Sequence, residues 1–341
     1  MVKHCNDMQD RTNLNKRNDI MAKIDIIVPA YKAENTINRL LASIYMQTIK
    51  DDICVYIVSD ADGVDYSNNL FKDKLNIKYL VTPQNGGAGV ARQYGIDHSD
   101  NEFIIFADSD DCLASAFACE LLWYNAKSKN ADMVCGAFDN DFRTDNKFAV
   151  GESEHSTTWL HGKLFKRAFL YKNNIRFREN LRVNEDCYFN QLFLSYEPNA
   201  ITIDKVCYSW LWTDGSLTRS TKTDNRFWVL YDYIQAAEAY IDEVCMRKMT
   251  DKPVVLKMIA DDLMITYRYY NEILDTYSVD YGDKYLQRCK EYYANALSKV
   301  PQALDDELLT TSNMNVLKNV EFTSRIPSVS IPQFAKMIIG V

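Results

Sequence analysis

Short apolar runs alternate with amphipathic stretches along the first third of the chain. Residues 24–28, 55–58, 77–81 and 103–107 are β-branched or aromatic runs bounded by polar and turn residues, as expected of strands buried on both faces. After Pro29, the residues Ile37, Leu40, Leu41 and Ile44 fall at i, i+3, i+4 and i+7, which is one face of a helix, with Asn35 placed to cap it. Segments 89–98 and 115–129 also read as helices, the latter through Phe117, Leu121 and Leu122. Strand and helix in alternation predict an α/β fold, a mostly parallel sheet with helices on both faces. Ligands of such sheets bind beyond the carboxyl ends of the strands, so chemistry is sought in the residues that follow each run.

Further along, residues 139–156 are polar and aperiodic apart from 148–150, a loop or hairpin over the sheet. A short helix, a helix over 184–196 capped at Asn184, and an aromatic strand over 206–212 follow. From about residue 225 the pattern changes to long amphipathic stretches rich in Tyr, Leu and Met, broken at Pro253, Pro301, Pro327 and Pro332. The expected organisation is a flexible polar leader over 1–20, an α/β domain over 21–222 and a helical C-terminal module over 223–341.

Composition narrows the function classes. The 341 residues carry 39 Lys and Arg against 47 Asp and Glu, a formal charge of −8, which disfavours a nucleic-acid partner bound through its phosphates. No apolar run reaches the roughly 18 residues of a membrane span, and no signal-like segment opens the chain, so the expected address is cytoplasmic, extending to the inner membrane face as a peripheral protein. Nine cysteines, an odd number without a C-x-x-C pair, read as reduced thiols. With four histidines and no H-E-x-x-H, a metal here is expected on oxygen ligands.

Candidate chemistry clusters after the strand-like runs. Asp108, Ser109, Asp110 and Asp111 follow the fourth run directly, and three carboxylates in four residues repel one another unless a divalent cation such as Mg²⁺ or Mn²⁺ joins them; the plain alternative is an acidic turn. Asp60 and Asp62 end the second run, where a carboxylate can accept from a nucleobase or ribose or can close an Asx-turn. Asn85-Gly-Gly-Ala-Gly89 followed by Arg92 is a flexible turn able to bring backbone N–H groups to an anion, without the Lys-Ser/Thr of a P-loop. Glu185 and Asp186 open a helix whose apolar face is Phe189, Leu192, Phe193 and Tyr196; they are either dipole-favoured caps or a general base on a rigid element.

In order, Ile26-Ile-Val-Pro-Ala-Tyr31, Val58-Ser-Asp60, Asn85-Gly-Gly-Ala-Gly-Val-Ala-Arg92, Phe106-Ala-Asp-Ser-Asp-Asp111, Lys163-Leu-Phe-Lys-Arg167, Glu185-Asp186 and Tyr208-Ser-Trp-Leu-Trp-Thr-Asp-Gly-Ser216 resemble the blocks of family 2 glycosyltransferases over about residues 23–220. The resemblance implies the Rossmann-like GT-A fold and inverting transfer from a nucleotide-diphosphate sugar, a UDP-sugar foremost, with Mn²⁺ or Mg²⁺ as cofactor. It implies that Pro29, Tyr31 and Asp60 surround the base and ribose, that Arg92, Asp108, Ser109 and Arg219 meet the donor, and that Asp110 with Asp108 holds the metal. Asp186 resembles the catalytic base, with Glu185 beside it, while His161, Lys163 and Trp212 lie on the acceptor side. Ser216, Thr218 and Arg219 resemble a loop that closes over the diphosphate. Two departures stand out: Ser59 replaces an acid usual after the second strand, and the loop before Arg219 lacks the histidine that some members use as a further metal ligand. The expected acceptor is a carbohydrate hydroxyl. A hydroxylated nucleobase, a protein side chain, and a non-catalytic nucleotide-sugar-binding subunit are the alternatives. The C-terminal helices are expected to pack on the sheet or to carry an oligomer contact.

Overall fold

The computed structural model describes residues 24–144, 147–153, 158–213, 223–305, 307–310, 312 and 329–339. The first apolar runs become strands β1 (Ile24–Ala30), β2 (Ile53–Ser59), β3 (Asn76–Val81) and β4 (Phe103–Phe106), and the helices between them are α1 (Ile37–Tyr45) and α2 (Ala88–His98). All four strands pair in parallel, β3-β2-β1-β4, in the register Ala30↔Ser59 and Ile27↔Phe106. That register sets the ends of β1, β2 and β4 along one edge of the sheet.

Beyond β4 the sheet departs from the parallel expectation. β8 (Lys163–Lys166) runs antiparallel to β4, and β6 (Met133–Thr144) runs antiparallel to β8. β9 (Ala200–Trp210) is parallel to β6, and the two-residue β5 (Cys112–Leu113) closes the edge antiparallel to β9. The polar stretch expected as a loop or hairpin is a hairpin of β6 with β7 (Lys147–Ser153). The result is a mixed sheet: α-helical crossovers enforce parallel pairing only where they join neighbouring strands, and the hairpin has none.

Alternate residues of β1 and β2 serve opposite faces. Ile24, Ile26, Val28, Val55 and Ile57 pack against α1 and α3 (Ala118–Ser128), whereas Ile27, Tyr56 and Val58 face α2 and α5 (Glu185–Leu194). In α1 the buried residues are Ile37, Leu40, Leu41 and Ile44, the expected face. The expected cap differs: Thr36, not Asn35, precedes α1, and no side chain caps it. Asn184 likewise does not cap α5. It sits in the left-handed region with φ of 60°, and its Nδ2 donates to the Val229 carbonyl instead.

A short helix, α4 (Arg167–Lys172), follows β8. The C-terminal helices α6 (Thr223–Met246), α7 (Pro253–Thr276), α8 (Val279–Lys299) and α9 (Ile331–Ile339) share one buried apolar cluster with the α5 side of the sheet. Pro253 opens α7, where its missing N–H costs nothing. A buried polar contact ties this module to α5: Asp262 Oδ1 accepts from Gln191 Nε2 at 2.7 Å and from Tyr233 Oη at 2.5 Å. The helix carrying the Glu185-Asp186 pair is thus clamped between sheet and module. No helix among the described residues is long and apolar enough to cross a membrane, and the eight described cysteines are free thiols, six of them buried. Residues 1–20 and 214–222, with Ser216, Thr218 and Arg219, lie outside the described residues.

Candidate active site

The site is built on the carboxyl edge of β1, β2 and β4. Asp60, just past β2, is held by its backbone N–H donating to the Ala30 carbonyl at 2.9 Å. Its carboxylate accepts from the Gly86 N–H at 2.8 Å and the Gly87 N–H at 2.7 Å, so the anion bound by the glycine turn is an aspartate of the chain itself. Gly87 makes this turn at φ of +90°, a conformation that side chains disfavour. Asp62 builds the neighbouring Asx-turn, accepting from Tyr66 Oη at 2.6 Å, the Lys32 N–H at 2.6 Å, Ser59 Oγ at 2.7 Å and the Val64 N–H at 3.1 Å. Burial works to raise its carboxyl, yet these bonds together hold it below the usual carboxylate range. Pro29 is buried in β1, and Tyr31 beyond it is 52% exposed at the rim.

Arg92 organises the centre. It projects from α2, almost fully buried, with Nη1 on Glu185 Oε1 and Nη2 on Asp108 Oδ1, each at 2.6 Å. One guanidinium therefore joins the helix bearing the Glu185-Asp186 pair to the acidic loop after β4. α2 and α5 touch at Gly89, where a Cβ would fall 2.9 Å from Glu185 Cγ. Burial opposes the charge on Arg92, but Asp108, Glu185 and Asp186 outweigh it and hold the guanidinium above its usual range. Its Nε has no hydrogen-bond partner among the described residues.

The three acids of the Asp108–Asp111 loop have different surroundings. Asp108 would be raised by burial, but Arg92 and His161, whose Nε2 lies 3.6 Å from Asp108 Oδ2, hold it far below the usual range. Asp110 is half-buried and raised by burial and by the charge of Asp108. Asp111 is fully buried and spent on structure: its Oδ2 accepts from Tyr208 Oη at 2.7 Å and its Oδ1 from the Leu211 N–H at 2.8 Å. Tyr208 Oη in turn accepts from the Asp108 N–H at 2.9 Å. Among the described residues, ligand atoms of Asp108, Asp111 and His161 lie within 4.8 Å of one another. Asp110 stands outside that trio. With both Asp111 oxygens occupied, a hard cation at this loop would draw on Asp110 and on Oδ2 of Asp108, which faces His161 Nε2 at 3.6 Å. Burial and the charge of Asp108 both disfavour the Asp110 carboxylate, a cost that a divalent cation would offset.

Asp186 stands in the first turn of α5, half-buried, its Oδ1 accepting from the Cys187 N–H at 2.8 Å. Burial and the adjacent Glu185 charge, against the pull of Arg92, push its carboxyl up to about 7. A carboxylate so placed takes a proton readily near neutral pH. Both other candidates on this side are buried. His161 stacks on Tyr208 at 4.8 Å between centroids and 7° between planes. Burial lowers its pKa, and Asp108 pulls the other way. Lys163, 2% exposed, donates to the Trp159 carbonyl, and burial brings it down to about 8. Trp212 and Ser109 are half-buried beside the loop.

A family model described as "Glycosyl transferase family 2" matches residues 25–181. Those residues belong to a family 2 glycosyltransferase domain. The fold agrees: the structure of Staphylococcus aureus TarS 1–349 with UDP-GlcNAc superposes with a TM-score of 0.66 at 18% identity, covering 87% of this chain and 89% of that one, so the domain has the GT-A-type fold of the glycosyltransferases. In sequence the chain is 28% identical over 236 residues to the poly(ribitol-phosphate) beta-glucosyltransferase of Bacillus spizizenii, covering 64% of this chain and 37% of that protein. It is 26% identical over 196 residues to the poly(ribitol-phosphate) beta-N-acetylglucosaminyltransferase TarP of Staphylococcus aureus, covering 52% and 59%. The chain thus spans about a third to three fifths of the length of these relatives.

The structure joins Arg92 to Asp108 and Glu185, with Asp186 beside Glu185 at the start of α5 and with Asp60 and Asp110 just past the carboxyl ends of β2 and β4. Reading the sequence missed Tyr208, which orders the acidic loop, and the spending of Asp111 on β9. The i, i+2 spacing of Tyr208 and Trp210 on one strand face was the available signal.

Proposed function

We propose that the chain is an inverting, divalent-metal-dependent glycosyltransferase that moves a sugar from a UDP-sugar to a hydroxyl of a glycan, with a polyol-phosphate polymer as the leading acceptor. The observation that carries this reading is the Arg92 bridge, which ties Glu185, the neighbour of Asp186 in the first turn of α5, to the Asp108 loop at the carboxyl end of β4. The names of the relatives from Bacillus spizizenii and Staphylococcus aureus support the acceptor class, and the UDP-GlcNAc held by the similar TarS structure supports the donor class.

In this reading Tyr31 stacks on the base, and Pro29 and Asp60 flank base and ribose. Asp60 reaches them by exchanging one of its glycine N–H bonds. Arg92 turns its unpartnered Nε toward the nucleotide, with Ser109 beside it. Asp110 and Asp108 would hold Mn²⁺ or Mg²⁺, which would supply Lewis-acid stabilisation of the leaving diphosphate. The Asp186 carboxylate accepts the acceptor hydroxyl's proton as that oxygen forms its bond to the anomeric carbon. The bond from that carbon to the diphosphate oxygen breaks on the opposite face, and its electron pair leaves with UDP, so the configuration inverts.

Calorimetric titration with UDP, GDP, CDP and dTDP, each with and without Mn²⁺, tests the donor half. The expected result is selective UDP binding that weakens at least tenfold when EDTA replaces Mn²⁺. Binding of all four diphosphates alike, or UDP binding indifferent to the metal, would refute it.

A further inference from the structure

Trp159 precedes β8 in a segment that has no regular structure of its own, yet two buried polar side chains spend their hydrogen bonds on its main chain. Asn190, 1% exposed on α5, donates through Nδ2 to the Thr158 carbonyl at 2.6 Å and, with the same nitrogen, to the Asp186 carbonyl at 3.0 Å. Lys163, the first residue of β8, buries its ammonium to donate to the carbonyl of Trp159 itself. One atom of Asn190 therefore ties the Thr158-Trp159 segment to the turn of helix that presents Asp186. Burying a lysine and an amide is unfavourable unless the bonds they make are needed, so this segment is built to be held still.

What is held is an indole. Trp159 meets Phe138 at 5.6 Å edge to face and Trp210 at 5.3 Å, and its ring lies at 27° to that of His161 with centroids 6.3 Å apart. A core tryptophan would be enclosed like the neighbouring Phe138 and Tyr208, which are 1% and 0% exposed, but Trp159 keeps 36% of its surface open. Its ring packs against aromatics, its backbone is anchored, and the residue stays partly exposed, one residue from the Thr158 carbonyl that Asn190 ties to the first turn of α5. Such a ring is a platform for the C–H face of a polyhydroxylated ligand, whose hydroxyls keep their water or protein partners while its carbons cover the indole.

We propose that Trp159 is the acceptor platform of this enzyme: its indole stacks on the carbon skeleton of the glycan acceptor and, through Asn190 and Lys163, keeps that acceptor in register with Asp186. Lys163 then acts as a positioning residue beneath the acceptor site, not as a direct contact. The inference rests on the glycan-acceptor reading above, and its test separates the two.

Transfer is measured from UDP-glucose and UDP-GlcNAc to purified poly(ribitol phosphate), alongside hydrolysis of the same donors without acceptor. In Trp159→Ala the acceptor KM is expected to rise about tenfold or more, while the donor KM and donor hydrolysis stay within twofold of the parent. Trp159→Phe, which keeps a ring, is expected to recover most of the acceptor affinity. Unchanged acceptor KM in Trp159→Ala, or a parallel rise in donor KM, would overturn the platform. Absence of transfer to the polymer by the parent protein would overturn the acceptor reading and this inference with it, before any variant is compared.

Discussion

Replacing Asp186 by Asn is expected to lower kcat about a thousandfold while UDP affinity changes less than twofold. The amide keeps the size and the acceptor oxygen of the carboxylate, so the bond from the Cys187 N–H survives. It removes the group that takes the hydroxyl proton, and general-base contributions run at about 10²–10⁴-fold. The pH dependence follows from the same group. Asp186 works as its anion, and with its carboxyl pushed up to about 7 the parent rate is expected to fall about tenfold per unit below pH 7 and to level off above about pH 8. Initial rates across pH 5–9, with UDP titration of both proteins, check both statements. A variant that keeps the parent's rate would remove Asp186 from the chemistry.

The second large effect is expected at Arg92. Substitution by Met leaves Glu185 and Asp108 facing each other across a buried gap that the guanidinium now fills with two bonds of 2.6 Å. Losing one partner of a buried charge set costs about 3–5 kcal/mol, several times the value of an exposed ion pair, because the remaining charges stay desolvated. Urea unfolding should show that loss, and activity should vanish with the bridge. Arg92→Lys keeps the charge but can serve the two carboxylates from only one nitrogen, so it is expected to recover part of the stability and little of the activity. Parent-like stability of Arg92→Met would mean that the carboxylates are held apart by other means.

Much of this arrangement is legible in the sequence, for reasons that differ by element. Strands β1, β2 and β4 are readable because strands buried on both faces are predominantly apolar and their crossover helices must be amphipathic, as Ile24–Ala30 and the Ile37-Leu40-Leu41-Ile44 face show, whereas β3 at the sheet edge is largely exposed. In the other half the β6–β7 hairpin is foreshadowed, but the pairings of β8 with β4 and β6 and of β6 with β9 are not, since they depend on partners distant in sequence. The cap signal at Asn184 misleads because a tertiary contact supplies another partner, as its bond to Val229 shows, and α1 begins one residue later than the signal at Asn35 implies. Site acids at strand ends are visible from topology alone. Their division of labour is not: Asp111 looks the same as Asp110 until Tyr208 and the Leu211 N–H are seen to occupy it. The glycine turn invites a phosphate on paper, yet folded it grips Asp60. Trp159 carries no motif, and its significance emerges only from the two buried side chains that hold its backbone.

The central claim is inverting transfer at the Asp186 edge of the sheet. Proton NMR of the glycan formed from α-linked UDP-glucose or UDP-GlcNAc, with Mn²⁺ and poly(ribitol phosphate) as acceptor at pH 8, tests it most directly. The account predicts a β-anomeric linkage in the parent's product and no such signal with Asp186→Asn; an α-linked product, or an undiminished β signal from the variant, would contradict it.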